Sequence, residues 1–337
     1  MNDPRNEQRR RFLATAGWQA AEITPLRPDA SFRRYFRLRR GASRAMLMDA
    51  PPPREDIRPF VKIARHLSTL GICAPALYAF DPEHGFLLLE DLGDDTFTRL
   101  LAQGLDEEAL YEMAVDTLLR LHRQPSAAAI DLPSYGAGPL LDEALLFTDW
   151  YTPALRGEKT PGSMRESYRG AWLEIIGALP ETTPTLVLRD YHVDNLMRTG
   201  SKEKPDCAVL DFQDALLGAP AYDLVSLLQD ARRDVSRRLE QRMLERYFQS
   251  LQLPDRKAFM QWYRVLGVQR HCKVAGIFVR LCVRDGKCGY LAHIPRVIGL
   301  LQRGLAHEEL GPLKDWVATN LPHLEPVNIY LRERDFE

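Results

Sequence analysis

Thr185-Leu186-Val187-Leu188-Arg189-Asp190-Tyr191-His192-Val193-Asp194-Asn195-Leu196-Met197 is followed by a polar turn at Thr199-Gly200-Ser201 and then by Ala208-Val209-Leu210-Asp211-Phe212-Gln213-Asp214. The apolar run 185–188 predicts a strand that empties into a polar loop. Leu196-Met197 starts a second short strand, and Ala208–Leu210 a third that ends on Asp211. The spacing is an aspartate, four residues, an asparagine, fifteen residues, and an Asp-Phe pair. Phosphoryl transfer from a nucleotide needs a carboxylate to accept the proton of the attacking hydroxyl. It also needs an amide oxygen and a second carboxylate to hold Mg²⁺ against the phosphates. Mg²⁺ prefers hard oxygen ligands and keeps several waters, so one Asn and one Asp suffice. Asp190 is therefore the candidate base, and Asn195 and Asp211 are the candidate metal ligands.

Upstream of this island the chain is rich in strand signals. Strands are expected at Glu22–Leu26, Arg33–Arg40, Arg44–Asp49, Ala76–Phe80 and Phe86–Glu90. Gly41-Ala42-Ser43 supplies a hairpin turn between the second and third. One helix interrupts them at Arg58–Leu70, with Phe60, Ile63, Ala64 and Leu67 on a single stripe. A short helix over 5–17, ended by Gly17, precedes them. After Leu92 the period changes to helical, beginning with Asp106–His122, where Asp106 is the N-cap. Helices are also expected at Leu141–Tyr151 and Met164–Leu179, and they resume from Tyr222. The expected architecture is α+β: a β-rich lobe over 1–92, a larger helical lobe over 93–337 carrying one β-hairpin, and a hinge at Glu90-Asp91-Leu92-Gly93.

The chain has 337 residues, 45% of them hydrophobic and 27% charged, with a formal net charge of −1. That balance excludes a disordered or membrane-embedded chain and argues against nucleic acid as a partner. The N-terminal stretch lacks the apolar core of a secretory signal, and no apolar run reaches the ~18 residues of a bilayer span. The five cysteines carry no metal-ligand spacing, so reduced thiols and a cytoplasmic location are expected. No obligate protein partner is implied.

Leu188-Arg189-Asp190-Tyr191-His192-Val193-Asp194-Asn195 with Leu210-Asp211-Phe212-Gln213-Asp214 resembles the aminoglycoside phosphotransferase and choline kinase superfamily, which has a protein-kinase-like fold. The usual signature is His-Gly-Asp-x-His-x-x-Asn. This chain keeps Asp190, His192 and Asn195 and carries Leu188 and Arg189 in place of the first His and Gly. The tail Pro220-Ala221-Tyr222-Asp223-Leu224-Val225 extends the resemblance, with Asp223 as a buttress of the loop. Ala30-Ser31-Phe32-Arg33-Arg34-Tyr35-Phe36-Arg37 and Leu89-Glu90-Asp91-Leu92-Gly93 look like the bacterial kinases that phosphorylate N-acetylmuramate and N-acetylglucosamine at the anomeric C1 hydroxyl in peptidoglycan recycling. The resemblance implies ATP or GTP as donor, Mg²⁺ as cofactor, and a nucleotide and an amino sugar as the binding partners.

It also implies a nucleotide site at Ser31, Phe32, Arg33, Arg34, Glu90, Asp91 and Leu92. The third strand should carry a phosphate-binding lysine, but Met48 stands at that position. Lys62, the only lysine before Lys159, falls in a helix. Arg34 is the expected substitute, on the more apolar strand face with Phe36 and Leu38, because arginine binds phosphate bidentately. On the acceptor side the candidates are Arg189, His192, Asp194 and Asp214. The segment Gln261–Lys287 adds Arg264, Arg270, Lys273, Arg280 and Arg284, which would repel a polycationic acceptor. Choline, homoserine or an aminoglycoside as acceptor, or a nucleotide-binding pseudokinase, are the alternatives. Phe147, Trp150 and Tyr151 read as core rather than as a sugar platform.

Overall fold

The structure, a computed structural model, describes residues 5–26, 32–201, 203–251 and 255–324. In chain order the main elements are α1 (Arg5–Thr15), β1 (Glu22–Pro25), β2 (Arg34–Arg40), β3 (Ser43–Asp49), α2 (Arg58–Thr69), β4 (Leu77–Asp81) and β5 (Phe86–Leu89). They continue with α3 (Phe97–Ala102), α4 (Glu107–His122), α5 (Ala137–Ala144), a π-helical turn at Phe147–Tyr151, α6 (Thr152–Arg156) and α7 (Gly162–Gly177). β6 (Thr185–Val187), β7 (Leu196–Gly200), β8 (Pro205–Val209) and β9 (Leu216–Gly218) follow, then α8 (Ala221–Leu228), α9 (Arg237–Leu251), α10 (Arg256–Asp285), α11 (Ile294–Gly304) and α12 (Gly311–Asn320). No helix among the described residues is long and apolar enough to cross a membrane.

Two compact units result. Residues 1–126 with 193–215 form the first, and 127–192 with 216–337 the second. The break expected after Leu92 lies inside the first unit. The reason is local: the β7–β8 hairpin is stitched to residues 73–96. The Arg198 amide donates to the Asp95 carbonyl at 2.9 Å, the Val209 amide to the Cys73 carbonyl at 2.9 Å, and Thr96 bridges to Met197.

In the first unit an antiparallel sheet runs in the order β1-β2-β3-β5-β4. β2 and β3 form the expected hairpin, with Arg40 opposite Ser43. Gly41 takes a positive φ of 59°, as a tight turn between right-twisted strands demands. Side chains alternate across the sheet. Phe36, Leu38, Ala45, Leu47, Phe86 and Leu88 pack against Phe12 and Leu13 of α1. Tyr35, Arg37, Met46 and Met48 take the other face, as the register requires. In α2, the expected stripe of Phe60, Ile63, Ala64 and Leu67 is buried, and Lys62 lies on the exposed side. The N-cap role of Asp106 is observed, its carboxylate accepting from the Glu108 amide at 3.0 Å.

The second unit is mostly helical. β6 pairs with β9, not with the hairpin, in the register Val187 to Leu216. β9 is only three residues long and carries no periodic signal of its own, so it was invisible in the sequence. Phe147 and Tyr151 stack at 4.8 Å inside the core with Tyr168 and Trp172, as expected. Helix α10 passes so close to the π-helical turn that a Cβ on Gly276 would lie 2.2 Å from the Leu146 carbonyl oxygen. One expectation is corrected: Cys282 and Cys288 are joined as a disulfide across the end of α10, while Cys73, Cys207 and Cys272 are free thiols.

The alternation also corrects the placement of Arg34. Its face is the one covered by α1. There its guanidinium donates to Asp49 Oδ2 at 2.8 Å, and Arg5 donates to Asp49 Oδ1 at 2.8 Å. Asp49 is fully buried, so it requires these partners. Arg34→Ala should lower the unfolding free energy by about 1–2 kcal/mol, since Arg5 still pairs the carboxylate. The KM for nucleotide should stay within twofold. Denaturant unfolding alongside initial-rate kinetics checks this, and a strong rise in KM would return Arg34 to the site.

Candidate active site

Each unit holds one cluster of the sequence-predicted residues. In the second unit the chain leaves β6 and turns sharply at Arg189, which has a φ of 68°. This is the left-handed region that costs an L-residue about 1–2 kcal/mol, at the position where the superfamily signature has glycine. Four groups hold the turn. Both oxygens of Asp223, at the start of α8, accept backbone hydrogen bonds, from Leu188 at 2.8 Å and Arg189 at 2.9 Å. The Arg189 carbonyl accepts from the Ser226 hydroxyl at 3.1 Å and from Arg270 Nη1 at 3.1 Å. Asp223 is wholly buried, and burial pushes its carboxyl up to about 7 against the pull of the two amides and Arg270.

The turn presents Asp190. Its carboxylate is 41% exposed, and the buried Arg270 stands 3.6 Å away. The crowded surroundings favour the neutral acid, but the charges of Arg270 and Lys273, helped by His192 and Arg189, outweigh them and bring Asp190 down to about 2. Arg270 and Lys273 are three residues apart on α10 and share a helix face. Glu143 of α5 closes the network: it pairs with Lys273 Nζ at 2.9 Å, accepts from the Tyr135 hydroxyl, and pairs with the Arg189 guanidinium. Tyr222 accepts from Arg270 at 3.2 Å and from Lys273 at 3.3 Å.

Arg189 is therefore spent on Glu143, and His192 is buried with its Nε2 3.2 Å from Arg232. Both brace the loop rather than face outward. Glu143 was missed in the sequence. The available signal was an acid inside the apolar run Leu140-Leu141-Asp142-Glu143-Ala144-Leu145.

In the first unit the pleated face carrying Tyr35, Arg37 and Met46 walls a cavity of about 650 Å³. Glu90, Asp91 and Leu92 line it, and so do Asn195, Asp211 and Asp194. Leu26, Met46, Leu89, Met197 and Leu210 make much of its apolar surface. Asp194, expected near the acceptor, sits here, with the Thr98 hydroxyl donating to its carboxylate. A larger groove of about 940 Å³ runs along α2 and β4, but Arg65 is the one charged side chain in its lining.

Three arginines line this cavity, Arg33, Arg37 and Arg99, and Arg33 is the one that reaches Asp211. Its Nε donates to Glu55 Oε2 at 3.0 Å, and its Nη1 reaches Asp211 Oδ1 at 3.4 Å. Glu55 gives no periodic signal, lying in the loop before α2, and so escaped notice. Phe32 is 59% exposed and outside the cavity lining, and Ser31 lies outside the described residues. Arg37 straps the segment after β5: it pairs with the buried Asp91 at 2.9 Å and with Asp94 at 2.9 Å, and donates to the Gly93 carbonyl at 3.0 Å. Glu90 closes on the approach to β4, its carboxylate accepting from the Ala76 amide at 3.2 Å. Asp211 is, among the described residues, the second non-glycine residue with positive φ, at 56°. Strained backbone at Arg189, one residue before Asp190, and at Asp211 marks both loops as over-determined by their surroundings.

Arg189→Ala and Arg189→Gly separate strain from pairing. Both lose the Glu143 contact, but only glycine accepts the left-handed turn freely. In denaturant unfolding the alanine variant should be less stable than the glycine variant by about 1 kcal/mol. Equal stability would mean that the turn carries no strain.

Known proteins resemble this chain in sequence and in fold. The profile of the phosphotransferase enzyme family matches residues 22–262. An N-acetylmuramate/N-acetylglucosamine kinase of Pseudomonas aeruginosa is 38% identical over 318 residues, covering 91% of this chain and 92% of the relative. A protein of the same name from Pseudomonas putida is 36% identical, over 89% and 88%. Among solved structures, a choline/ethanolamine kinase family protein from Mesorhizobium loti superposes with a TM-score of 0.61 at 15% identity, over 93% of this chain and 99% of that one. An ADP-bound aminoglycoside phosphotransferase gives 0.59 at 17%, over 88% and 97%. The fold is the protein-kinase-like α+β fold, and the chain belongs to the phosphotransferase enzyme family as a small-molecule phosphotransferase.

Proposed function

We propose that the protein transfers the γ-phosphoryl group of ATP to the anomeric C1 hydroxyl of N-acetylmuramate and N-acetylglucosamine. The observation that carries the reading is the pinned turn that presents Asp190 beside two buried cations, five positions before Asn195 in the chain. In this reading Asp190 accepts the proton of the attacking hydroxyl. An anomeric hydroxyl is more acidic than an ordinary sugar hydroxyl, so a carboxylate of low basicity serves, and positioning does most of the work.

The cavity of the first unit takes the nucleotide. Backbone groups of Glu90–Leu92 meet the adenine edge, and Met46 and Leu210 belong to the apolar walls around the ring. Arg33, oriented by Glu55, takes the phosphate role that lysine has in protein kinases. The amide oxygen of Asn195 and the carboxylate of Asp211 line the same cavity and are hard ligands of the kind Mg²⁺ prefers. They would hold that ion, which supplies charge neutralisation at the phosphates. Segment 1–92 is then the core of the nucleotide lobe.

The acceptor class follows from charge. Arg270 and Lys273 flank Asp190 and disfavour the cations choline and aminoglycoside. A neutral or anionic amino sugar fits, and the names of the Pseudomonas relatives agree. The product, a sugar 1-phosphate, would feed nucleotidyl transfer toward UDP-N-acetylmuramate in peptidoglycan recycling, in the cytoplasm where ATP is available.

Phosphorus NMR of the protein with ATP, Mg²⁺ and N-acetylmuramate tests this. A sugar-phosphate doublet split by the anomeric proton should grow together with ADP. Asp190→Asn and Asp211→Ala should each lower kcat by about 100-fold or more while remaining folded. ADP formed only with a different acceptor would overturn the sugar assignment, and wild-type kcat in Asp190→Asn would overturn the base.

A further inference from the structure

Gln213 follows Asp211 and Phe212 and precedes Asp214, and neither the motif spacing nor the resemblance gives it a task. It is 8% exposed. Its Nε2 donates to Asp211 Oδ1 at 2.9 Å and to Asp214 Oδ2 at 3.0 Å, so one amide group bridges two carboxylates. Its Oε1 is buried and accepts no hydrogen bond. A buried amide oxygen without a donor is a group that a ligand or water must complete.

Two carboxylates this close repel one another, and the chain has several ways to hold them. Arg33 already touches Asp211, and a further lysine or arginine at position 213 would neutralise the pair and compete with a cation. A glutamate would add a third negative charge. A neutral amide fixes both carboxylates and adds no charge of its own. Asp211 is at the same time held in its positive-φ conformation and touched by Arg33, so its side chain has little freedom left.

We propose that Gln213 is a positioning residue for the divalent cation of the nucleotide complex: its amide holds the carboxylates of Asp211 and Asp214 in place, and Asp211 would ligate the cation. The inference rests on the reading of Asp211 as a metal ligand. The proposal assigns Gln213 no contact with the reacting hydroxyl or the transferred phosphoryl group. Its contribution is to metal affinity, and partners of metal ligands commonly change that affinity by about 10–100-fold.

The test uses Mn²⁺ as a spin-active probe, with free Mn²⁺ read by electron paramagnetic resonance in the presence of ADP. Gln213→Met keeps the side-chain volume and removes both donors. Its Mn²⁺ affinity should fall about tenfold, its metal-free ADP affinity should stay within twofold of wild type, and the Mg²⁺ concentration for half-maximal rate should rise by the Mn²⁺ factor. Gln213→Asn keeps an amide that is one methylene too short to reach both carboxylates. It should show the same loss, and it decides the matter if the methionine variant does not fold. Mn²⁺ affinity within twofold of wild type in a folded variant would overturn the inference. Asp211→Ala is the control: if it too binds Mn²⁺ like wild type, the metal-site reading fails and takes this inference with it.

Discussion

The Asp223 carboxylate accepts the amides of Leu188 and Arg189 at once, and the placement of Asp190 depends on that pair of bonds. Without them a non-glycine residue at a φ of 68° would relax toward ordinary backbone, and the carboxylate one residue later would turn with it. The anchor is costly. Burial raises Asp223 to about 7, above its unfolded value near 4, so its contribution to stability is full at low pH and declines as pH rises through 7. The surrounding network offsets the strain: Ser226 and Arg270 take the Arg189 carbonyl, and Glu143 takes its side chain. A chain with glycine at this position would need fewer of these partners. Arg189 replaces the permissive residue with a charged one and ties the turn to α5 in return.

The same logic governs the first unit. The strand that should supply a phosphate-binding lysine supplies the buried Met48, and Arg33, just before β2, is the arginine that lines the cavity and pairs with Glu55. Arg33 and Arg34 are neighbours in sequence with opposite fates. One lines the cavity between Glu55 and Asp211, and the other is locked to Asp49 on the face beneath α1. Pleating sends consecutive residues to opposite faces, so a register error of one residue exchanges a cavity-lining arginine for one in a structural ion pair.

Much of this was legible in the sequence. The spacing of Asp190, Asn195 and Asp211 pointed to phosphoryl transfer, and the motif residues around it resembled the family, because motifs fixed by chemistry leave regular marks. The β2–β3 hairpin and the stripe of α2 were readable because periodicity and turn residues are local. The face of the sheet that meets the cavity was not, since it depends on where α1 packs, and Phe36 and Leu38 looked like a nucleotide wall when they are the floor of a helix. Glu143 and Glu55 were missed because a single acid shows no period, and its partner is known only once the chain is folded. The pairing of β6 with β9, and of Cys282 with Cys288, likewise depends on tertiary neighbours.

A double-mutant cycle between Asp223 and Asp190, read in kcat, tests the central claim most directly. If Asp223 acts by holding Asp190 in place, Asp223→Asn should lower kcat about 10- to 100-fold in the wild type and by less than about threefold when Asp190 is already asparagine. The same fold-loss in both backgrounds would contradict the account and show that Asp223 supports the enzyme by a route independent of Asp190.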